Sequence, residues 1–207
     1  MHSIRTITFF FLPLLVCCKS DPVQINDQTK SEPRQIHKSS GNIPDDLTSL
    51  NSPLQFDSAI NNQKLKKHFF GAFFQQRANF FIIHEPNRTL YQKKVKAITL
   101  YYLDDELFKT KYTIEEDISS KLINSLGKFE FHPHDSLGRA LGRNKQLIQR
   151  KNGKTILNES LTNYELRWSL ADMEIIAKVN KIDGLFEYVE RRKDFEQAYK
   201  SVKLSDY

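Results

Sequence analysis

The spacing of apolar positions divides most of the chain into one helix-like segment followed by many short strands. From Phe56 to Gln76, apolar residues recur every three to five positions, which is typical of a helix with one buried face. Phe70 and Phe74 widen that face, so we expect them in the core, with an exposed apolar patch as the alternative. Beyond Phe80, alternation with period two predominates and predicts strands.

Turn and capping residues divide this second region into hairpins and two further helices. The sequence from Thr113 to Glu116 is a capping box, which predicts a helix over 115–126 that ends at Gly127. Asn152-Gly153 is the strongest hairpin signal. The predicted strands are 80–83, 94–103, 107–112, 129–131, 145–150, 154–158, 163–169, 173–180 and 184–192, and Phe195, Tyr199 and Val202 mark a closing helix.

This order of elements predicts one α+β domain rather than an alternating α/β fold. Long hairpins that are close in sequence favour an antiparallel, meander-like sheet. We expect two or three helices packed mainly on one face of that sheet.

The first residues have the pattern of an export signal. Arg5 precedes an apolar run over 7–16, which is too short to cross a bilayer and is typical of a secretory signal. Cys17 and Cys18, the only cysteines in the chain, follow this run directly, and polarity rises at Lys19.

This leader resembles the signal peptide of a bacterial lipoprotein. That family's motif is a Leu, two mostly small residues and a Cys that is lipidated on sulfur and becomes the first residue after cleavage. Leu15, Val16, Cys17 and Cys18 match its four positions, although the third is usually Gly, Ala or Ser. Cys17 as the acceptor would place Val16 there, which fits worse. The alternative is an ordinary signal peptide that is cleaved near Ser20.

The resemblance covers about the first 20 residues and implies a lipid-anchored protein of the bacterial cell envelope. Residues 1–17 are then the signal peptide, and Cys18 carries the lipid. Lys19 after the acceptor resembles sorting to the outer membrane, because the enterobacterial signal for inner-membrane retention is Asp at that position. Whether the domain faces the periplasm or the cell surface stays open.

The segment that follows Cys18 has the composition of a tether. Residues 19–53 contain four prolines, many small polar residues and no aromatic residue, so they offer little apolar surface to bury. We therefore predict a lipidated Cys with a disordered tether over 18–53 and a globular domain over 54–207. The alternative is an ordered arm on the domain.

Charge and cysteine content exclude several classes of function. The whole chain has a net charge of +6, and removal of residues 1–17 takes away only Arg5, which leaves +5. A mildly basic envelope protein is not expected to bind nucleic acid. Lipidation of Cys18 would leave no thiol for disulfides, metal ligation or nucleophilic catalysis.

One window of the chain concentrates positive charge. Between Ser136 and Asn158 there is no acidic residue, and the window holds six basic ones: Arg139, Arg143, Lys145, Arg150, Lys151 and Lys154. Guanidinium groups bind carboxylates and phosphates through two parallel hydrogen bonds. These residues predict a patch for an anionic lipid, a glycan or an acidic protein. The alternative is an edge hairpin that basic residues keep soluble.

The densest group of metal-ligating residue types is His132, His134 and Asp135. Two imidazoles and a carboxylate suit zinc and a zinc-bound water, although a solvated loop accounts for the same residues. We therefore predict a non-enzymatic binding module for an envelope protein or glycan, with no cofactor. The alternative is a metal-dependent hydrolase that uses these three residues.

Overall fold

A computed structural model describes residues 43–135, 148–152 and 154–204. The strands are β1 (Phe69–Phe73), β2 (Ala78–His84), β3 (Thr89–Leu90), β4 (Lys93–Leu103), β5 (Glu106–Ile114), β6 (Glu130–Pro133), β7 (Ile148–Lys151), β8 (Lys154–Leu157), β9 (Asn163–Ser169), β10 (Met173–Asn180) and β11 (Leu185–Arg192). The helices are α1 (Phe56–Asn61), α2 (Ser119–Leu126) and α3 (Phe195–Leu204), with 3-10 turns at Asp45–Leu47 and Lys66–His68.

Nine of these strands form one antiparallel sheet. Its order is β1-β2-β4-β5-β11-β10-β9-β6, and β3 pairs with β4. The two hairpin-rich halves meet where β5 pairs with β11, for example at Tyr112 and Tyr188. Strands β7 and β8 form a separate two-stranded sheet. The predicted α+β domain, dominated by one antiparallel sheet, is confirmed.

The main core lies on one face of the sheet. On β4, Ile98, Leu100 and Tyr102 are fully buried there, as their period-two spacing predicts. Helices α1 and α2 contribute buried residues such as Ala59 and Leu122 to the same cluster. Burial of these side chains supplies the main driving force for folding, because the described residues offer no disulfide.

Helix α3 belongs to a second apolar cluster, which Leu103, Phe108 and Phe195 share. The Lys109 ammonium lies 4.4 Å from the ring centre of Tyr101 and 4.9 Å from that of Phe195, so it is held between the sheet and α3. Burial lowers the pKa of Lys109 to about 8. Because α3 joins a different cluster from α1 and α2, the helices are not shown to share one face.

The folded domain begins earlier than the predicted boundary at residue 54. Ile43 is 2% exposed and Leu47 is 9% exposed, so both belong to the main core. Arg88 holds this segment by donating hydrogen bonds to Thr48 Oγ1 (2.8 Å) and to the Ile43 carbonyl (3.2 Å), and it also pairs with Asp45. Residues 43–50 of the predicted tether therefore pack on the folded domain, while residues 51–53 are exposed.

Replacement of Arg88 by Met should weaken the attachment of residues 43–48. The variant removes the charge-assisted hydrogen bonds to this segment and leaves buried acceptors unpaired, which we expect to cost about 2 kcal/mol. Urea unfolding measures the loss, and hydrogen exchange should accelerate at Leu47 and Thr48. Unchanged exchange there would contradict the assigned role of Arg88.

The helix predicted from Phe56 to Gln76 is wrong beyond its first turns. Helix α1 ends at Asn61, and the chain then forms the hairpin β1–β2, in which Phe73 pairs with Ala78. Positive φ angles of 52°, 54° and 67° at Phe74, Gln75 and Gln76 make the turn. Non-glycine residues rarely adopt this conformation, so the sequence gives no turn signal here.

Most later elements lie within three residues of their predicted bounds, and the start of helix α2 differs by four residues. Strands β9 and β10 occupy the predicted ranges. Helix α2 begins at Ser119 instead of residue 115, because β5 continues to Ile114 and Asp117 Oδ1 accepts the Ser119 N–H at 2.8 Å. Among the described residues, no helix has the length and apolar character needed to cross a membrane.

Candidate binding surfaces

The structure describes three of the six basic residues in the window 136–158. The described residues exclude the other three, Arg139, Arg143 and Lys145, and they also exclude the predicted lipidation site Cys18. Arg150 and Lys151 are on β7 and Lys154 is on β8. Lys151 pairs directly with Lys154 beside the turn at Asn152, and Arg150 pairs with Thr155. The backbone thus brings three of the six predicted basic positions to one end of the separate hairpin, termed the basic hairpin.

The predicted metal candidates are not gathered into a ligand set. His132 lies on β6 opposite Glu165, and its Nε2 is 3.5 Å from Glu130 Oε2. The Asp135 carbonyl accepts a hydrogen bond from Asn163 Nδ2 at 2.9 Å, which fixes the backbone after the strand. In the part of the chain that the structure describes, no group of three or more His, Cys, Asp or Glu side chains is arranged to hold a metal ion.

The sheet face opposite the main core carries paired charges over β5, β11, β10 and β9. The ion pairs join Lys111 with Glu187 (2.9 Å), Arg191 with Glu174 (2.8 Å), Lys178 with Glu165 (3.3 Å), and Arg167 with Glu165. Burial alone would raise the pKa of Glu165, but Arg167 and Lys178 outweigh it and lower that pKa. This half of the face is therefore suited to contact with water.

The other half of the same face is aromatic and reaches the edge strand β1. Phe73 lies 5.2 Å from Phe80, and Phe80 lies 5.1 Å from Tyr101, measured between ring centres. Phe70 stacks on Phe73 with centres 6.3 Å apart and planes at 22°. Phe70 is 46% exposed and Phe73 is 43% exposed. The expectation that Phe70 is in the core is wrong, whereas Phe74 packs against Tyr199.

Lysines precede these two rings in the chain. Lys64, Lys66 and Lys67 are exposed, and residues 58–84 contain no acidic residue. The three lysines with Phe70 and Phe73 are termed the edge patch. Sequence reasoning treated the apolar part as a helix face and did not single out the lysines, although the absence of acidic residues was a readable signal.

An open cleft of about 400 Å³ lies beside α2 and is lined by Tyr91, Gln92, Lys121, Asn124 and Ser125. The Lys121 ammonium donates a hydrogen bond to the Tyr91 carbonyl and lies 3.4 Å from Gln92 Oε1. The cation of this cleft therefore connects α2 to the turn before β4.

No protein-family model, curated protein or solved structure matches this chain. The basic hairpin concentrates cationic positions outside the main sheet, and the edge patch combines cations with half-exposed rings. Both arrangements suit anionic partners, because ammonium and guanidinium groups bind carboxylate and phosphate oxygens.

Glu190 is a partly buried carboxyl that the sequence did not single out. Burial raises its pKa, although the hydrogen bond from the Tyr188 hydroxyl (2.9 Å) and the charge of Arg88 oppose this effect. Glu190 on β11 pairs with Thr110 on β5, and the Thr110 hydroxyl donates a hydrogen bond to the Thr48 carbonyl at 2.9 Å. Glu190 therefore lies beside the contacts that hold the N-terminal segment of the domain, and these contacts account for its position.

Proposed function

We propose that the chain is a cell-envelope lipoprotein with a non-enzymatic domain that binds an envelope protein or a glycan. A lipid on Cys18 anchors the mature chain, with the outer membrane favoured over the inner one. The motif from Leu15 to Cys18 supports the anchor. Dual or triple acylation makes such an anchor durable, because each buried methylene contributes about 0.8 kcal/mol.

The observation that carries the binding role is the basic hairpin. Lys151 and Lys154 pair next to a tight turn, and Arg150 precedes them, on two strands that form a sheet of their own. Leu157 of β8 packs against the main core, whereas the three basic positions lie at the turn end of the hairpin. The partner class follows from charge: an acidic protein face or an acidic glycan, bound in a salt-dependent manner.

Binding to solubilised envelope tests this role. The wild-type chain should retain a partner that saturates and that moderate salt releases. The variant Arg150→Gln/Lys151→Gln/Lys154→Gln should lose at least nine-tenths of it, or roughly tenfold in affinity, because three cationic contacts are removed.

A charge-matched control uses exposed lysines in loops and turns elsewhere in the domain. Lys128→Gln/Lys181→Gln/Lys193→Gln changes the net charge equally and should retain the partner. Recovery of no saturable partner, or equal loss in both triple variants, would contradict the binding role of the basic hairpin.

A further inference from the structure

We propose that the edge patch rests on an anionic lipid surface. The inference deepens the proposed function, since the anchor brings this surface to the bilayer, and it concerns residues separate from the basic hairpin. Phe70 and Phe73 would enter the boundary between headgroups and acyl chains, and Lys64, Lys66 and Lys67 would bind the headgroup phosphates.

Packing against neighbouring rings fixes the positions of Phe70 and Phe73 for this contact. Phe73 packs on Phe80 with ring centres 5.2 Å apart, and Phe70 stacks on Phe73, so the pair presents one continuous apolar surface. Nearly half of each side chain is exposed, at 46% and 43%. Rings held in place by neighbours lose little conformational entropy on binding, and their burial in an interface is favourable.

The lysines three to six residues before Phe70 differ in their pairing from the cations on the rest of the sheet face. Over β5, β11, β10 and β9, cations are paired with carboxylates, for example Lys111 with Glu187. Lys64, Lys66 and Lys67 form no ion pair within the described residues, and Arg77, the next cation along the chain, binds Asp104 at 2.6 Å. Each basic residue near an anionic bilayer adds binding that salt screens.

The shape of β1 favours a lipid surface over a protein strand as the occupant. This edge strand spans five residues, and a register shift between Phe69 and Gly71 interrupts its ladder. A short strand with such an irregularity is a poor template for pairing with another strand. Two copies meeting here would also bring two sets of three lysines together. A fluid anionic surface requires neither a regular strand ladder nor the approach of like charges.

Chain length makes the contact accessible once Cys18 is anchored. Residues 19–42 separate Cys18 from the first described core residue, Ile43, and 24 residues span at most about 85 Å. A lipid on Cys18 therefore keeps the edge patch at a high effective concentration next to the bilayer. The chemistry of the patch itself does not depend on the anchor.

Fluorescence of Phe73→Trp in the full-length lipidated chain tests the inference directly. The protein is reconstituted into phosphatidylcholine vesicles with one-fifth phosphatidylglycerol, and part of the lipid carries brominated acyl chains. We expect the new indole to be quenched at least threefold more than in Ile182→Trp, a control at a side chain that is 59% exposed in the turn after β10. Native Trp168 is 1% exposed and provides a constant background.

A charge variant checks the contribution of the lysines. In the Phe73→Trp background, Lys64→Gln/Lys66→Gln/Lys67→Gln should remove most of the quenching, as should omission of phosphatidylglycerol. The triple variant at Lys128, Lys181 and Lys193 should leave it unchanged. Equal effects of the two triple variants would overturn the assignment to the edge patch.

The outcomes separate the patch from the anchor. A chain that floats with the vesicles but shows no quenching at position 73 refutes the patch and leaves the anchor intact. A chain that does not float refutes the anchor, and quenching of the unlipidated Cys18→Ala/Phe73→Trp chain on the same vesicles then decides the patch. A dimer that shields position 73 from lipid and from aqueous quenchers would assign the patch to a second copy and overturn the inference.

Discussion

Replacement of Cys18 by Ala is expected to release the protein from the membrane fraction of a bacterium that processes lipoproteins. Cys18 carries all of the acyl chains in the proposed anchor, and each chain contributes about 0.8 kcal/mol per buried methylene. Basic residues add about 1 kcal/mol each near an anionic surface and cannot replace two or three acyl chains. Labelling with radioactive palmitate should fall to background, and the chain should no longer be processed by the lipoprotein signal peptidase.

The neighbouring Cys17 offers a matched control for this prediction. Cys17→Ala places a small residue before the acceptor, as the lipoprotein motif prefers, so labelling and membrane attachment should persist. If Cys17 were the acceptor, the two variants would exchange their behaviour. Palmitate labelling of the Cys18→Ala chain at the wild-type level would contradict the assignment of Cys18.

The second large effect is a loss of stability in mild acid caused by His68. This side chain is 7% exposed, and its Nε2 has no hydrogen-bond partner in the structure. Burial, with the charges of Lys67 and His84, lowers its pKa from 6.5 to about 4. The folded state therefore holds the neutral imidazole, while the unfolded chain binds a proton below its ordinary pKa.

The sign of the effect follows from proton binding. Between pH 6.5 and about 4 the unfolded chain binds one more proton at this position, so the free energy of unfolding falls as the pH falls. At about 1.4 kcal/mol per pKa unit, the total loss is roughly 3 kcal/mol. The contribution is fully present above pH 6.5, and urea unfolding at a series of pH values measures it.

Two variants separate His68 from other acid-sensitive groups. His68→Gln should flatten the pH dependence in this range, whatever its stability at neutral pH, because it has no titrating ring. His84→Gln removes an exposed imidazole near the same charges and should largely preserve the dependence. An equal fall in stability in the wild type and in His68→Gln would show that another group is responsible.

Local sequence patterns predicted most strands well because each strand buries the side chains on one face more than those on the other. The alternation of Ile98, Leu100 and Tyr102 marks the core face of β4, and the turns near Asp104 and Asn152 carry residues that favour left-handed backbone. The same reasoning failed at Phe74–Gln76, where a left-handed turn forms without glycine. The pairing of β1 with β2, and of β2 with the more distant β4, decides that segment, and a spacing rule does not contain this information.

Features that depend on distant residues were not readable from the sequence. The pairing of β5 with β11 joins segments about 75 residues apart, and no local signal specifies it. Arg88 holds Thr48 and Ile43, which precede it by 40 and 45 residues, so a segment with the composition of a tether becomes part of the core. The hairpin that contains Arg150, Lys151 and Lys154 was predictable, whereas the wrong helix prediction placed Phe70 in the core and so obscured the edge patch.

Mass spectrometry of the amino-terminal peptide of the native protein tests the central claim most directly. The account predicts that the mature chain begins at Cys18 and carries acyl chains on this residue, in protein recovered from the membrane. An unmodified amino terminus, on protein released freely into the medium, would contradict it.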